Sequence, residues 1–228
     1  MDARAARGEA TRKRIIAVAT RLFAKSGYEA VSIELVLAKT GLSRGALYHH
    51  FGGKAVLFEA VLEAMEAAIA QDIRAASRGV ADPVAALRLG CDAWIGLSRR
   101  PAIRQIVLID APAALGWEKW REIDARFGFG LLKASLKAAA SSGRIEREKV
   151  EIAAHVLLAA LMEVVLVIAR SPDPERQALL ARVVIGELID KLVEPKPGHP
   201  SPTKRKGQKA STKESKRNRQ AATRSASG

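Results

Sequence analysis

Cysteine is almost absent: Cys91 is the single one in 228 residues. That excludes an internal disulfide framework and any multi-cysteine zinc site, and it fits a reducing, cytoplasmic compartment. Histidine is scarce as well, with four residues, His49, His50, His155 and His199. No phosphate-cradling glycine loop, no H-E-x-x-H and no evident nucleophile–base pair occurs in the chain, so an enzyme is not expected, nor a cofactor. A zinc site at His49 and His50 is disfavoured, because adjacent helical residues point about 100° apart and no further ligands lie nearby. The opening stretch MDARAARGEATRKR is charged and is followed by no apolar segment of leader type, which predicts no secretion. Long apolar runs are also rare. Residues 152–169 form the one that needs a membrane test, interrupted only by His155 and Glu163. At roughly 27 Å it is marginal for spanning. Its central carboxylate would cost about 2.5–3.5 kcal/mol on insertion, and its flanks lack aromatic anchors. A helix buried between layers of protein is the expectation, not a membrane span.

What is present is an alanine- and leucine-rich chain, 48% apolar, with a formal net charge of +14 that is unevenly spread. Residues 1–54 carry ten Lys/Arg against four Asp/Glu; residues 55–194 carry eighteen against nineteen; residues 195–228 carry ten against one. A neutral middle between two basic ends points to an acidic polymer, most simply nucleic acid. No sustained period-2 alternation occurs, so the fold is expected to be all-α. Breaks at Ser26-Gly27, Thr40-Gly41, Gly52-Gly53, Asp82-Pro83, Pro101, Pro112, Ser141–Gly143 and Ser171–Pro174 divide it into about nine helices. Three regions result: 1–54, 55–194, and a proline-containing basic tail, 195–228. The tail has too little apolar surface to offset its ordering entropy and is expected to be disordered.

The first region carries the most specific pattern. A helix from about Glu9 to Lys25 turns Ile15, Val18, Ala19, Leu22 and Phe23 inward. Ser32 is a suitable N-cap for a short second helix, and Gly41 is suited to the left-handed turn that ends it. Ser43 then caps a third helix, Arg44 to Phe51, which buries Leu47 and Phe51 and turns Arg44, Gly45, Tyr48 and His49 outward. This is a helix-turn-helix with a cationic and aromatic outer face. Arg44 suits guanine or phosphate, Gly45 permits close approach, and Tyr48 and His49 suit phosphate oxygens. Lys54 would clamp phosphate at the start of the next helix. Ser32 and Ser43 complete the candidate DNA-binding set. A packing role for Tyr48 and a merely solvated Arg44 are the alternatives.

Residues 11–62, above all Gly41-Leu42-Ser43-Arg44-Gly45-Ala46-Leu47-Tyr48-His49-His50-Phe51 followed by Lys54 and Leu57, resemble the TetR/AcrR family of repressors. The resemblance implies an N-terminal helix-turn-helix domain, then an all-helical ligand-binding and dimerisation domain that answers a small-molecule effector. Two positions depart from the usual pattern: Leu37 stands where a small alanine is common, and Gly52-Gly53 replaces a polar cap before Lys54.

In the middle region, residues 152–169 and 176–193 pair as helices whose apolar surface is too broad for one neighbour. That predicts a two-fold, four-helix homodimer interface. Two recognition helices one DNA turn apart would then match a palindromic operator. Candidate ligand-binding residues are Cys91, Trp94, Trp117, Trp120, Phe127, Phe129, His155 and Glu163, with ordinary core as the alternative for the aromatics and the dimer seam for His155 and Glu163. The expected function is a sequence-specific transcriptional regulator, a ligand-responsive repressor; a nonspecific DNA-packaging protein is the other DNA-binding reading.

Overall fold

The first helix, α1 (Ala3–Ala30), is laid down by a stripe in which Ile15, Ala19 and Phe23 are fully buried at four-residue spacing. It begins earlier than the Glu9 start expected, since its Ala- and Arg-rich first turns are good helix formers. Gly27, at φ 77° and ψ 165°, takes the backbone out of helical geometry near its end, a conformation costly for any residue with a Cβ. The computed structural model describes residues 3–193, so the tail expected to be disordered, 195–228, lies outside the described residues.

Helix α2 (Ile33–Thr40) starts where the Ser32 hydroxyl accepts from the Leu35 N–H at 3.2 Å, and Gly41, left-handed at φ 67°, ends it by donating to Leu37 O at 2.8 Å. Helix α3 (Arg44–His50) is capped in the same way, Ser43 accepting from the Ala46 N–H at 3.2 Å. Leu47 and Phe51 pin it to the core. Arg14 donates to Thr40 O at 2.8 Å and ties α1 to the end of α2.

Helix α4 (Lys54–Ala76) begins at Gly53 with no side-chain cap, as Gly52-Gly53 implied. Helix α5 (Pro83–Ser98) follows an Asp82 cap that accepts from the Val84 and Ala85 amides. Then α6 (Pro101–Ile103), a π-helical turn over Arg104–Asp110 and α7 (Ala111–Leu115) form one continuous run. The break expected at Pro112 does not occur. The Ala111 N–H bonds back five residues to Ile106 O, and proline, with no N–H to give, follows this slipped register. Helix α8 (Trp117–Arg126) follows the left-handed Gly116. It breaks at Phe127, just before Gly128, a break not among those expected, and α9 (Gly128–Ser141) follows. Helices α10 (Val150–Arg170) and α11 (Pro174–Leu192) close the chain, and with α6 and α7 counted as one run there are ten helices among the described residues.

Two apolar cores organise these helices. The first joins α1–α3 to Leu57, Phe58, Val61 and Leu62 of α4 and to Ile103, Ile106 and Val107 of the π-containing run. The second is built from α5, α9, α10 and α11. Residues on both sides of the boundary expected at 54/55 share the first core, and Met1–Glu194 is one compact unit. Helix α10 is long and apolar enough to cross a membrane by length and composition, but Ala154, Leu157, Leu161 and Val165 are buried in the protein's own cores. Because Phe58 is fully buried against Phe23 (ring centroids 5.0 Å) and Tyr28 (4.7 Å), Phe58→Ala should cost about 3–5 kcal/mol. In urea the midpoint should fall with α1–α3 and the later helices still unfolding in one transition; two separated transitions would show that the first region folds independently.

Candidate functional site

The outer face of α3 emerges from its cap. With Leu47 held inside, Arg44, Gly45, Tyr48 and His49 are all exposed, Tyr48 at 44%. A Cβ placed on Gly45 would meet nothing within 4 Å, so packing within the chain does not require glycine there. Arg44 is not a free cation: its Nη2 lies 2.6 Å from Glu34 Oε1 across the turn. The Glu34 carboxyl is held below its ordinary range first by its own backbone N–H and also by Arg44. Lys54 Nζ sits 4.1 Å from the centre of the Tyr28 ring and donates to Glu29 O at 3.3 Å, which seats it at the junction of α1 and α4. The Ser32 and Ser43 oxygens serve as helix caps, and the Ser32 hydroxyl also donates to the Glu34 carboxylate. His50 is half-buried beside His49, ring centroids 5.4 Å apart, and among the described residues no cluster suited to a metal occurs.

A cavity lies deeper, between α4, α5, the π turn, α8, α9 and α10. Of the residues expected to bind a ligand, Cys91, Trp94 and Trp120 line it. Trp117 does not; it is 66% exposed and stands over Trp120, ring centroids 5.0 Å apart. Phe127 is half-buried at the α8–α9 break, outside the lining. Phe129 is buried, its ring 4.5 Å from the exposed His155, while Glu163 is exposed on the outer side of α10; none of the three reaches the cavity.

Sequence reasoning missed the cavity's polar residues, Glu66 of α4 and Asp124 of α8, which are 5% and 7% exposed. Burial, with the Asp124 charge added, pushes the Glu66 carboxyl up to about 8. Asp124 is raised by burial to about 6, less because Arg121, 3.0 Å away, and the Phe129 backbone N–H oppose the shift. Gly128 makes room for it, since a Cβ there would come within 2.9 Å of Asp124 Oδ1. The Cys91 thiol is pushed by burial to about 12 and stays neutral. Glu66 falls at an ordinary helix position, and no local signal separates it from the exposed glutamates of α4.

A capped helix-turn-helix with an open outer face, packed on an all-helical body that encloses a cavity, defines the class of helix-turn-helix regulators. Residues 15–61 match the family described as bacterial regulatory proteins, tetR family, and residues 84–192 match the tetracyclin repressor-like C-terminal domain. The chain belongs to the TetR/AcrR family of transcriptional regulators. It is 40% identical over 63 residues to the transcriptional repressor AcnR of Corynebacterium efficiens, a match covering 28% of this chain and 34% of that one. It is 35% identical over 79 residues to the regulator AcrR of Shigella flexneri, covering 34% and 37%. These matches span only about a third of the curated relatives. A TetR-family transcriptional regulator from Pectobacterium atrosepticum is similar in fold, with TM-score 0.69 and 28% identity, the match covering 84% of this chain and 98% of that one.

Between the ordinary glutamate value and about 8, folded Glu66 keeps a proton that the unfolded chain has released, so stability falls as pH rises through that window. Glu66→Gln should therefore leave the melting temperature near wild type at pH 5 and raise it progressively above wild type toward pH 9. A constant difference between the two melting curves across that range would contradict the burial assignment.

Proposed function

We propose that the protein is a cytoplasmic, ligand-responsive transcriptional repressor that binds a palindromic operator in double-stranded DNA as a homodimer, without enzymatic activity. The observation that carries this reading is the exposed face of α3, in which Gly45 occupies open space between side chains able to reach bases and phosphates. Arg44 is assigned to base edges beside Gly45; Tyr48, His49, Ser32, Ser43 and Lys54 are assigned to the phosphates. On this reading DNA competes with Glu34 for Arg44, so readout of the operator requires the ion pair to open.

Dimerisation is supported by the outer sides of α10 and α11. Ile152, Val156 and Val167 of one helix and Leu179, Leu180, Val183 and Val184 of the other are all exposed. Paired about a two-fold axis, this face makes a four-helix interface and presents two α3 helices about 34–36 Å apart. Glu163, and His155 beside Glu151, are assigned to the rim of that seam, not to the ligand. Cys91, Trp94 and Trp120 are assigned to the effector cavity, with Trp117 and Phe127 flanking it on α8 and at its end.

The route from cavity to DNA is short. Val107 lines the cavity, and three residues on Asp110 accepts from the Tyr28 N–H at 2.8 Å and from Gln105 Nε2 at 2.9 Å. A shift of the π-containing run therefore acts directly on the kink that ends α1.

Arg44→Ala should relax sequence preference at a cost of about 1–3 kcal/mol on the operator, whereas Lys54→Ala should weaken all sequences alike and lower the salt slope by about one. Equal loss of specificity in both, measured by anisotropy on footprinted and scrambled DNA, would overturn the assignment. Leu179→Glu with Val183→Glu places charge on positions already exposed in the single chain. It should yield a folded monomer by sedimentation, and a variant that stays dimeric would move the interface elsewhere.

A further inference from the structure

Of the two acids that line the cavity, Asp124 is tied to Arg121 and to the Phe129 backbone N–H, whereas no fold contact accounts for Glu66. Among the described residues Glu66 has no hydrogen bond and no cationic partner, and its charged neighbour is another carboxyl. Trp120, 4% exposed and part of the same wall, has a buried indole N–H with no partner. The remaining lining is almost entirely hydrocarbon and includes no Lys, Arg or His. An unpartnered carboxyl in such surroundings is costly, and a ligand that donates to Glu66 recovers that cost; the Trp120 N–H, itself a donor, is not what an ammonium satisfies.

The charge balance selects the ligand. At neutral pH Asp124 is ionised and answered by Arg121, while Glu66 holds its proton, so the lining is electrically balanced. One added positive charge is matched if Glu66 gives up that proton. An added anion finds no cation to receive it and meets Asp124. Of the other acids on the surrounding helices, Glu63 is paired with Arg126 at 2.5 Å and Asp92 lies near the charges of Arg88 and Arg182. Cys91 contributes a neutral thiol, and α9, α10 and the π turn contribute no ionisable group to the lining.

We propose that the cavity takes a small lipophilic amine, its ammonium seated between the carboxyls of Glu66 and Asp124 and its hydrocarbon body against Trp94, Trp120, Ile69 and Leu161. This rests on the effector-binding reading above and narrows the effector to a chemical class. An ammonium bonded to a buried carboxylate makes strong charge-assisted contacts, and the two indole rings offer π faces to the cation and its body. Binding is coupled to proton release: the Glu66 carboxylic acid and the free ammonium become a carboxylate–ammonium pair, and the acid's proton passes to solvent. Affinity therefore rises as pH rises from 6 to 8, the range in which Glu66 must still lose that proton.

The test uses the full chain and a matched series: 2-phenylethylamine, its neutral isostere 2-phenylethanol and the anionic 3-phenylpropanoate. Calorimetry at pH 7 should show the amine binding at least about tenfold more tightly than the alcohol, with no binding of the acid. The heat should differ between phosphate and Tris buffers by an amount corresponding to nearly one proton released. Glu66→Gln, shaped like the protonated acid and so expected to fold, should abolish the proton release and lower amine affinity about tenfold while sparing the alcohol. Asp124→Asn should weaken the amine independently. Equal affinity for amine and alcohol, amine binding that Glu66→Gln leaves unchanged, or no binding at about 1 mM by any amine from benzylamine to 4-phenylbutylamine would each overturn the proposal. Operator affinity measured with the same compounds separates the two readings. Amine binding with proton release but unchanged DNA affinity keeps the ligand class and removes the effector role. Operator release by the alcohol without amine binding does the reverse.

Discussion

Helix α4 has one apolar face that is buried twice, and the rest of the body depends on that double burial. Near its start Leu57, Phe58 and Leu62 complete the core under α1–α3; further along, Glu66, Ile69 and Ile73 form part of the cavity wall. A single rigid helix cannot adjust one contact without moving the other, because close-packed interiors transmit displacement instead of absorbing it. The aromatic cluster of Phe23, Tyr28 and Phe58 seats the near end, and the Lys54 ammonium over Tyr28 seals its edge. The core under α1–α3 and the cavity wall therefore share one helix, which on the reading proposed above joins the face assigned to DNA with the effector cavity.

Charge is used differently at the two places. On α3 the Arg44–Glu34 pair is exposed, so water screens it and its opening is cheap. Such a pair pre-positions the guanidinium without holding it against a better acceptor. Inside the cavity the same kind of group behaves in the opposite way. Burial beside Asp124 makes a second carboxylate so unfavourable that Glu66 keeps its proton at neutral pH. On the reading proposed above, the exposed pair supplies selectivity toward DNA and the buried pair selectivity toward the effector.

The π-containing run between α5 and α8 connects these regions a second time. Pro112 does not interrupt it, because the register has already slipped ahead of it, and the slipped turn leaves Val107 on the cavity side and Asp110 at the Tyr28 amide. π turns are rare and marginally stable, which suits a segment proposed to transmit small shifts. On α10, the same sequence feature that raised the question of a membrane, apolar residues on nearly every side, is divided between the protein's cores and the exposed face proposed for dimerisation.

Local chemistry determined much of this protein from its sequence. Ser32, Gly41 and Ser43 set the helix-turn-helix because capping oxygens and a left-handed glycine act within four residues of themselves, and the spacing of Leu47 and Phe51 decided which side of α3 faces out. The TetR/AcrR family was legible in that same stretch. What only the tertiary structure decided involves residues distant in the chain. Glu34 holds Arg44 because the Gly41 turn folds α2 back beside α3. Glu66 meets Asp124 because α4 and α8 pack across the cavity, and neither sequence position looks unlike an exposed acid. Trp120 lines the cavity while Trp117, three residues earlier, stands in solvent, a division that depends on where the body's edge falls. His155 and Glu163 lie outside because the inner side of α10 was already filled by alanine and leucine. Helix periodicity names a face; burial, and with it the protonation of a carboxyl, depends on what the other helices place against that face.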